Sequence, residues 1–283
     1  MFNKKVLITG SSGQLAREFV RVLTEKKIDF IAPSEQDFDI TDPEKIRKFI
    51  KEISPEVVIN CAAYNLVDEA ESKSDIAHAV NAKAPGDIAS ACAENGVFMV
   101  HYGSDYIFDG EKQDLYREAD KPNPLNVYGK TKLEGEALVQ EHTDKYLILR
   151  TSWVFGEGTQ NFLHKLFKWS AASRILKVSA DEVSVPTYTE DIADVTLRAL
   201  EKGLTGVSHL TNSGYASRYE LAKYFVEKME LDNIVVPVPM SEFPMKARRP
   251  KFAAMSNRNI STALKVAIPD WQDAVNRLVL RWQ

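Results

Sequence analysis

A short apolar strand that runs through two glycines into an amphipathic helix stands near the start of the chain. Residues 4–9 predict the strand, and Gln14 to Lys27 predict the helix. Between them, the segment Gly10-Ser-Ser-Gly13-Gln-Leu-Ala16 allows a tight turn and a close approach of the backbone. The N–H groups of the first helical turn then favour an anion such as a pyrophosphate. The segment indicates a dinucleotide-binding turn, although two glycines in such a turn are common and the motif alone is weak.

Strands and helices keep alternating through the first half of the chain. The predicted strands are 28–32, 56–60, 97–101 and 146–150, and the predicted helices are 43–53, 76–95 and 125–141. The near-continuous apolar run at 56–60 is typical of a strand that is buried on both faces of a parallel sheet. We therefore predict an α/β fold with a doubly wound parallel sheet of the Rossmann type, which binds ligands at the carboxyl ends of its strands.

After about residue 155 the pattern becomes less regular. The predicted elements are helices at 161–172, 189–202, 217–230 and 270–282 and a short sheet strand at 176–178. We expect a dinucleotide-binding domain made of residues 1–155 and 175–205. Residues 156–174 and 206–283 are expected to form a smaller C-terminal α/β lobe that binds the substrate.

The composition argues against several classes of protein. The net charge is −4 and the basic residues are mostly scattered, which argues against a nucleic-acid partner. No apolar run approaches the roughly 18 residues that a membrane span requires, so we expect a soluble, cytoplasmic protein with no membrane partner. Cys61 and Cys92 lie in apolar contexts without a CxxC pattern, so buried structural thiols are expected and no metal site is predicted.

A tyrosine and a lysine are spaced four residues apart in the predicted helix 125–141. Tyr128 and Lys132 would lie one turn apart on the same face, so both side chains can reach one pocket. An ammonium group beside a phenol favours the phenolate and lowers the pKa of the phenol. The pair predicts a tunable acid/base, whereas an ordinary amphipathic helix end is the alternative that this pattern leaves open.

Several longer segments carry a resemblance to a known family. They are CAAYNLVDEAE (61–71), GSDYIFDG (103–110), PLNVYGKTKLEGE (124–136), RTSWVFG (150–156), PT (186–187) and RRPKF (248–252). Together with the glycine turn, they make the chain resemble the dTDP-4-dehydrorhamnose reductase family of extended short-chain dehydrogenases/reductases along nearly its whole length. The resemblance implies NAD(P)H-dependent reduction of the C4 ketone of a nucleoside-diphosphate 4-keto-6-deoxy sugar, most directly dTDP-4-dehydro-L-rhamnose to dTDP-L-rhamnose.

The resemblance also implies roles for individual residues. Tyr128 would protonate the C4 oxygen, Ser104 would hydrogen-bond it, and Lys132 would lower the pKa of the tyrosine and hold the nicotinamide ribose. The implied cofactor-binding residues are Gly10, Ser12, Gly13, Gln14, Leu15, Asp39, Ile40, Cys61, Ala62, Ala63, Tyr128 and Lys132. The implied substrate-binding residues are Asn65, Val67, Ser104, Tyr106, Trp153 and Arg249.

Three of these residues have a structural alternative. Trp153 would face the sugar, and a core side chain is the less favoured alternative. Arg249 would bind the diphosphate, although Arg248 and Arg249 can also form a solvated basic patch. Asp39 would lie near the adenine, but residues 39–42 can also be the acidic lead-in to the next helix.

The choice between cofactors is open in the sequence. The predicted second strand ends at Ile31-Ala-Pro-Ser-Glu35, where neither an acidic residue for a ribose 2′-hydroxyl nor an arginine for a 2′-phosphate is clearly in place. We expect NADPH or NADH to serve, with NADPH slightly favoured.

Departures from the family pattern leave the substrate open. Asn65, Gly103 and Ser104 stand where threonine, serine and threonine are usual. Further departures from the usual residues are Glu182, Ser184, Arg218, Phe252 and Ala253. The alternatives are a nucleotide-sugar epimerase or dehydratase on the same scaffold, or a non-catalytic regulatory subunit of the methionine adenosyltransferase type. A homodimer is compatible with all three.

Overall fold

A computed structural model describes residues 4–282 of the chain. Its strands are β1 (Val6–Thr9), β2 (Phe30–Ile31), β3 (Val57–Asn60), β4 (Phe98–Ser104), β5 (Tyr146–Thr151), β6 (Val154–Phe155), β7 (Ile175–Ser179), β8 (Val183–Ser184), β9 (Thr187–Tyr188), β10 (Gly206–His209), β11 (Ala216–Ser217) and β12 (Ile234–Val238). Its α-helices are α1 (Gln14–Glu25), α2 (Pro43–Ile53), α3 (Val67–Ala70), α4 (Ser74–His78), α5 (Ala84–Asn95), α6 (Val127–His142), α7 (Phe162–Ala172), α8 (Thr189–Lys202), α9 (Arg218–Lys228), α10 (Arg258–Leu264) and α11 (Trp271–Trp282).

Six strands form one parallel sheet in the order β10-β5-β4-β3-β1-β2. One apolar core packs α1 and α8 against the sheet, and a second packs α2 and α5 against its other face. The two cores on opposite faces explain why β1 and β3 are buried along their whole length. The predicted doubly wound fold is therefore confirmed.

A smaller lobe has its own core. Side chains from α7, α9 and α11 pack together there with Leu176 and Val178 of β7. β7 pairs in parallel with β12, and β8 pairs antiparallel with β11. These short sheets lie beside the carboxyl edge of the large sheet, which the sequence predicted to be the ligand-binding edge.

Two strands pair within a different domain from the one to which the sequence assigned them. β10 belongs to the large sheet beside β5, although residues 206–283 were assigned to the substrate lobe. β7 belongs to the lobe, although residues 175–205 were assigned to the nucleotide domain. β10 has only four residues and includes a serine and a histidine, so its sequence resembles a loop until β5 pairs with it. Ile260 of α10 also packs into the core of the large sheet, so we propose that β10 and α10 belong to the nucleotide-binding domain.

The helix predicted at 76–95 contains an irregular turn. α4 and α5 are joined by a π-helical segment, Ala79–Lys83, which adds one residue to the turn and rotates the side chains that follow. Within residues 4–282, no helix is long and apolar enough to cross a membrane.

Close backbone contact and a buried ion pair fix α6 on the sheet. Asn126 caps the helix by accepting the Gly129 N–H at 2.8 Å, and a side chain at Gly129 would collide with the carbonyl oxygen of Tyr106. Two turns further on, Glu136 accepts hydrogen bonds from Arg150 of β5 at 2.8, 3.0 and 3.2 Å. Both side chains of this pair are almost completely buried. Tyr128, Lys132 and Glu136 repeat every fourth residue, so the anchor and the predicted acid/base pair share one helix face.

We expect Glu136→Ala to lower the free energy of unfolding by about 3–5 kcal/mol, because Arg150 would remain buried without its counter-charge. Urea denaturation followed by circular dichroism measures the change. The double substitution Glu136→Leu with Arg150→Met removes both charges and should recover most of the loss. A loss below about 1 kcal/mol for Glu136→Ala, the range of an exposed ion pair, would contradict this role.

Candidate active site

A cavity of about 880 Å³ opens at the carboxyl ends of β1, β3, β4 and β5 and extends under the smaller lobe. The sequence-predicted site residues all lie in its wall. They are Gly10, Ser12, Gly13, Gln14, Leu15, Asp39, Ile40, Cys61, Ala62, Ala63, Asn65, Val67, Ser104, Tyr106, Tyr128, Lys132, Trp153 and Arg249. The fold thus brings residues that lie far apart in the sequence together in one space, as a sheet edge in a doubly wound fold does.

The glycine turn fits a dinucleotide. Gly10 has φ +68°, and a Cβ there would lie 2.8 Å from the backbone of Ala62. Gly13 occupies the N-cap of α1, and within residues 4–282 no side chain caps the first turn of that helix. These N–H groups face the cavity next to Ser12 and Leu15, so they are available to phosphate oxygens.

The segment after β2 lies at the far end of the same cavity. Asp39 accepts hydrogen bonds from the backbone and hydroxyl of Thr41 at 2.9 and 2.7 Å, and these bonds lower the pKa of Asp39. Asp42 caps α2 by accepting the N–H groups of Glu44 and Lys45. Asp42 is therefore the acidic residue that caps α2, whereas Asp39 and Ile40 line the cavity.

The catalytic candidates meet where β4 ends against α6. The Ser104 hydroxyl accepts the Tyr106 N–H and donates to Asp105, both at 3.2 Å. Burial raises the pKa of Tyr128 to about 12, and a hydrogen bond with Ser104 offsets part of this rise. Ser104 and Tyr128 therefore present two neighbouring hydroxyl groups to the cavity.

The pKa of Tyr128 is raised overall and not lowered as the sequence predicted, because burial outweighs the favourable contacts of the phenol. The Lys132 ammonium donates to the carbonyl oxygen of Tyr102 at 2.5 Å, and burial dominates the phenol. Burial also lowers the pKa of Lys132 to about 8, while the negative charge of Glu136 raises it. Sequence spacing places two groups on one face of a helix but does not show how much water each retains.

Asn81 was missed by the sequence analysis. Its side chain accepts the Tyr64 N–H at 2.8 Å, donates to the Tyr64 carbonyl at 3.0 Å and contacts the Thr131 hydroxyl at 3.3 Å. It thereby ties the loop after β3 to α6. Asn81 lies in the π-helical segment Ala79–Lys83, and the residue pattern does not predict that segment.

Trp153 lies in the cavity wall just after β5. Its backbone has φ +39°, which is uncommon for a residue with a side chain. The Arg218 guanidinium stacks on the indole, 3.5 Å from the ring centroid. Deeper in the cavity, the rings of Tyr106 and Tyr128 meet edge to face with centroids 5.6 Å apart.

Arg249 lies in the wall, but its guanidinium is already engaged. It donates to both carboxylate oxygens of Asp68, at 2.6 and 3.2 Å, and to the carbonyl of Ala247 at 3.1 Å. Asp68 also accepts the Ala247 N–H at 2.9 Å, so this pair ties the loop before Pro250 to α3. Arg248 is exposed, and its carbonyl accepts a hydrogen bond from Asn126. The sequence did not predict this internal partner for Arg249.

The glycine turn and the Ser-Tyr-Lys arrangement on one Rossmann edge define an extended short-chain dehydrogenase/reductase. A family model described as the RmlD substrate binding domain matches residues 4–283. The dTDP-4-dehydrorhamnose reductase of Burkholderia thailandensis is 34% identical, with 97% of this chain and 98% of the relative covered. The chain belongs to the dTDP-4-dehydrorhamnose reductase family.

Two solved structures of this family are similar along the whole chain. The dTDP-4-dehydrorhamnose reductase of Clostridium acetobutylicum superposes with a TM-score of 0.95 at 37% identity, covering 99% of each chain. The enzyme of the same name from Bacillus anthracis, solved in complex with NADP, gives a TM-score of 0.96 at 31% identity, covering 99% of this chain and 100% of the other.

The burial of Lys132 makes the stability of the protein depend on pH. The pKa of Lys132 is about 8 in the folded chain, whereas lysine in an unfolded chain titrates near ~10.4. Between these values the unfolded chain binds more protons, so the cost of burying the ammonium falls as the pH rises. We expect Lys132→Met to raise the free energy of unfolding by about 2–3 kcal/mol at pH 7, and by progressively less above pH 8.

Urea denaturation without cofactor at several pH values between 7 and 10 measures this difference. Lys130→Met is the matched control, because Lys130 is exposed on the same helix. A difference between wild type and Lys132→Met that stays constant across this pH range would show that Lys132 is not a buried cation.

Proposed function

We propose that the chain catalyses the NAD(P)H-dependent reduction of the C4 ketone of a nucleoside-diphosphate 4-keto-6-deoxy sugar, with dTDP-4-dehydro-L-rhamnose as substrate and dTDP-L-rhamnose as product. The observation that carries this proposal is the pair of neighbouring hydroxyl groups, Ser104 and Tyr128, in a cavity that also contains the free N-terminus of α1. The names of the full-length relatives and the NADP complex from Bacillus anthracis support it.

Tyr128 is the proton donor in this proposal. With a pKa of about 12 its phenol stays protonated at neutral pH, which suits a reduction that ends with proton delivery to oxygen. The alkoxide that develops at C4 is a stronger base than a phenolate, so the transfer is favourable. Ser104 donates a second hydrogen bond to the same oxygen once it releases Asp105. The nicotinamide supplies the hydride when it is bound.

Lys132 keeps a positive charge behind these two hydroxyl groups. At neutral pH its ammonium is protonated, because its pKa of about 8 lies above the ambient pH. The charge stabilises the phenolate that remains on Tyr128 after proton transfer. The ammonium can also donate to ribose hydroxyls, since Lys132 lies in the cavity wall together with Cys61, Ala62 and Ala63.

The assay for the proposal is the loss of NADPH absorbance with dTDP-4-dehydro-L-rhamnose. One equivalent of NADPH should be oxidised per sugar, and NADH should also serve, since neither an acidic residue nor an arginine stands directly after β2, where the first acidic residue is Glu35. An epimerase or dehydratase would turn over without net loss of NADPH, and a non-catalytic regulatory subunit would give no turnover. Either result would overturn the proposed reduction.

We expect Tyr128→Phe to lower turnover by about 10²–10⁴-fold, because the ring keeps its packing against Tyr106 while the acid is lost. The thermal midpoint should stay near that of the wild type. Tyr146→Phe is the matched control, because Tyr146 lies at the start of β5, outside the cavity wall. Activity of Tyr128→Phe within a few-fold of the wild type would remove Tyr128 from the reaction.

We expect Trp153 to report sugar-nucleotide binding by fluorescence. Its indole lines the cavity, with Arg218 stacked on one face, so a ligand beside it should quench its emission. The quenching should disappear in Trp153→Phe and persist in Trp169→Phe, whose side chain also lies in the cavity wall but is half exposed on α7. Equal quenching in wild type and Trp153→Phe would mean that the indole does not meet the ligand.

A further inference from the structure

Arg218 carries the cavity guanidinium with the most donors left free. It stacks on Trp153, 3.5 Å from the ring centroid, and lies 5.0 Å from the ring centroid of Phe162. The closest acidic atom is a carboxylate oxygen of Glu182 at 3.7 Å, which is beyond hydrogen-bond distance. Among the described residues 4–282, no acceptor forms a hydrogen bond with the guanidinium of Arg218. Five N–H donors are thus held in place by aromatic contact, in a side chain that is only 19% exposed.

Other cationic groups in the wall are engaged or solvated. The fork of Arg249 makes three hydrogen bonds to Asp68 and Ala247. Lys132 donates to Tyr102, and Lys177 lies 3.9 Å from Glu242 in an exposed pair. A planar fork with free donors binds two oxygens of one phosphate, which a flexible lysine does less specifically. The environment of Arg218 therefore differs from that of Arg249, although the sequence analysis favoured Arg249.

The position of Arg218 suits the diphosphate of a sugar nucleotide. Glu182 links Arg218 to the part of the cavity that contains Tyr128. The Tyr106 hydroxyl donates to Glu182 at 3.4 Å, and the Tyr106 ring packs on Tyr128. A chain of contacts thus connects Arg218 to Tyr128 through Glu182 and Tyr106. In a nucleoside-diphosphate sugar the diphosphate is attached at C1, across the ring from C4. A C4 oxygen at Tyr128 therefore places the diphosphate away from Tyr128, and Arg218 is a cationic side chain of the cavity wall that is free to meet it.

We propose that Arg218 binds the diphosphate of the sugar nucleotide, with Trp153 holding its guanidinium in the binding orientation. This inference rests on the proposed function, because it requires the C4 end of the sugar to lie at Tyr128. Glu182, 3.7 Å away, holds the guanidinium electrostatically and competes weakly with phosphate. Arg249 instead fastens the loop before Pro250 to α3 through Asp68.

Isothermal titration calorimetry of dTDP and thymidine with the NADP⁺-saturated protein tests the proposal. We expect Arg218→Met to weaken dTDP binding by about tenfold to a hundredfold, the range for hydrogen bonds to a charged group. Thymidine has no phosphate, so its affinity should change less than about twofold by the same reasoning. Arg218→Lys keeps the charge but loses the fork and the flat stacking surface, so it should recover only part of the dTDP affinity.

Two further variants separate a direct contact from indirect effects. In Arg218→Met the carboxylate of Glu182 loses its partner and would repel phosphate, so Arg218→Met is also combined with Glu182→Gln. If Arg218 binds phosphate directly, the double variant stays weak for dTDP. If the double variant regains wild-type affinity, Arg218 serves only to neutralise Glu182 and the proposal is overturned. Arg249→Met is the matched control and should weaken dTDP less than Arg218→Met does.

The proposal and the proposed reduction can fail separately. If NADPH is oxidised with dTDP-4-dehydro-L-rhamnose but dTDP affinity is unchanged in Arg218→Met, the Arg218 contact is wrong and the reduction stands. If no reduction occurs but dTDP binds and depends on Arg218, the phosphate contact stands and the reduction is wrong. Failure of dTDP and UDP to bind the wild-type protein would overturn the Arg218 contact.

Discussion

The buried ion pair between Glu136 of α6 and Arg150 of β5 is the constraint on which the site depends most directly. Three hydrogen bonds join the two side chains in a region that water does not reach. Such a pair is costly to desolvate and tolerates little displacement, so it fixes α6 in one position on the sheet. Because Lys132 lies one turn earlier on the same face, the negative charge of Glu136 also counteracts the effect of burial on the pKa of Lys132. Glu136 thus both anchors α6 on the sheet and adjusts the pKa of Lys132 in the site.

Burial, more than charge pairing, sets the acid/base properties of this site. The phenol of Tyr128 and the ammonium of Lys132 are both desolvated, which raises the pKa of the first to about 12 and lowers that of the second to about 8. The shifts move the two groups towards their uncharged forms, as burial always does. With its pKa raised, the phenol of Tyr128 carries its proton at neutral pH and is not available as a base. A protonated Tyr128 is what the reductive direction that we propose requires.

The sequence predicted those parts of the molecule that depend on local pattern. The strand β1, the turn from Gly10 to Gly13 and the spacing of Tyr128 and Lys132 are each encoded within a few residues, and the structure brings these segments together at one cavity. Features that depend on distant partners were missed. β10 is recognisable only through its pairing with β5, and the engaged fork of Arg249 depends on Asp68, far earlier in the chain. The sign of the Tyr128 pKa shift depends on burial, which the spacing of two residues does not encode.

The residues that the sequence analysis singled out in the second half of the chain as departures from the family pattern form one connected cluster. Ser184 of β8 pairs with Ala216 of β11, immediately before Arg218 begins α9, and Val183 bridges to Phe252. The Ser184 hydroxyl donates to Asp105 at 2.7 Å and reaches the Ala253 carbonyl at 3.5 Å.

Glu182 completes this cluster by facing Arg218. A change at one of these residues alters the charge or space that its neighbours meet, so the cluster acts as a unit. It contacts the reacting end through Asp105 and Tyr106, next to Ser104. Glu182 and Arg218 are the members that line the cavity, so changes at them alter the cavity without displacing Tyr128 and Lys132, which Glu136 fixes on α6.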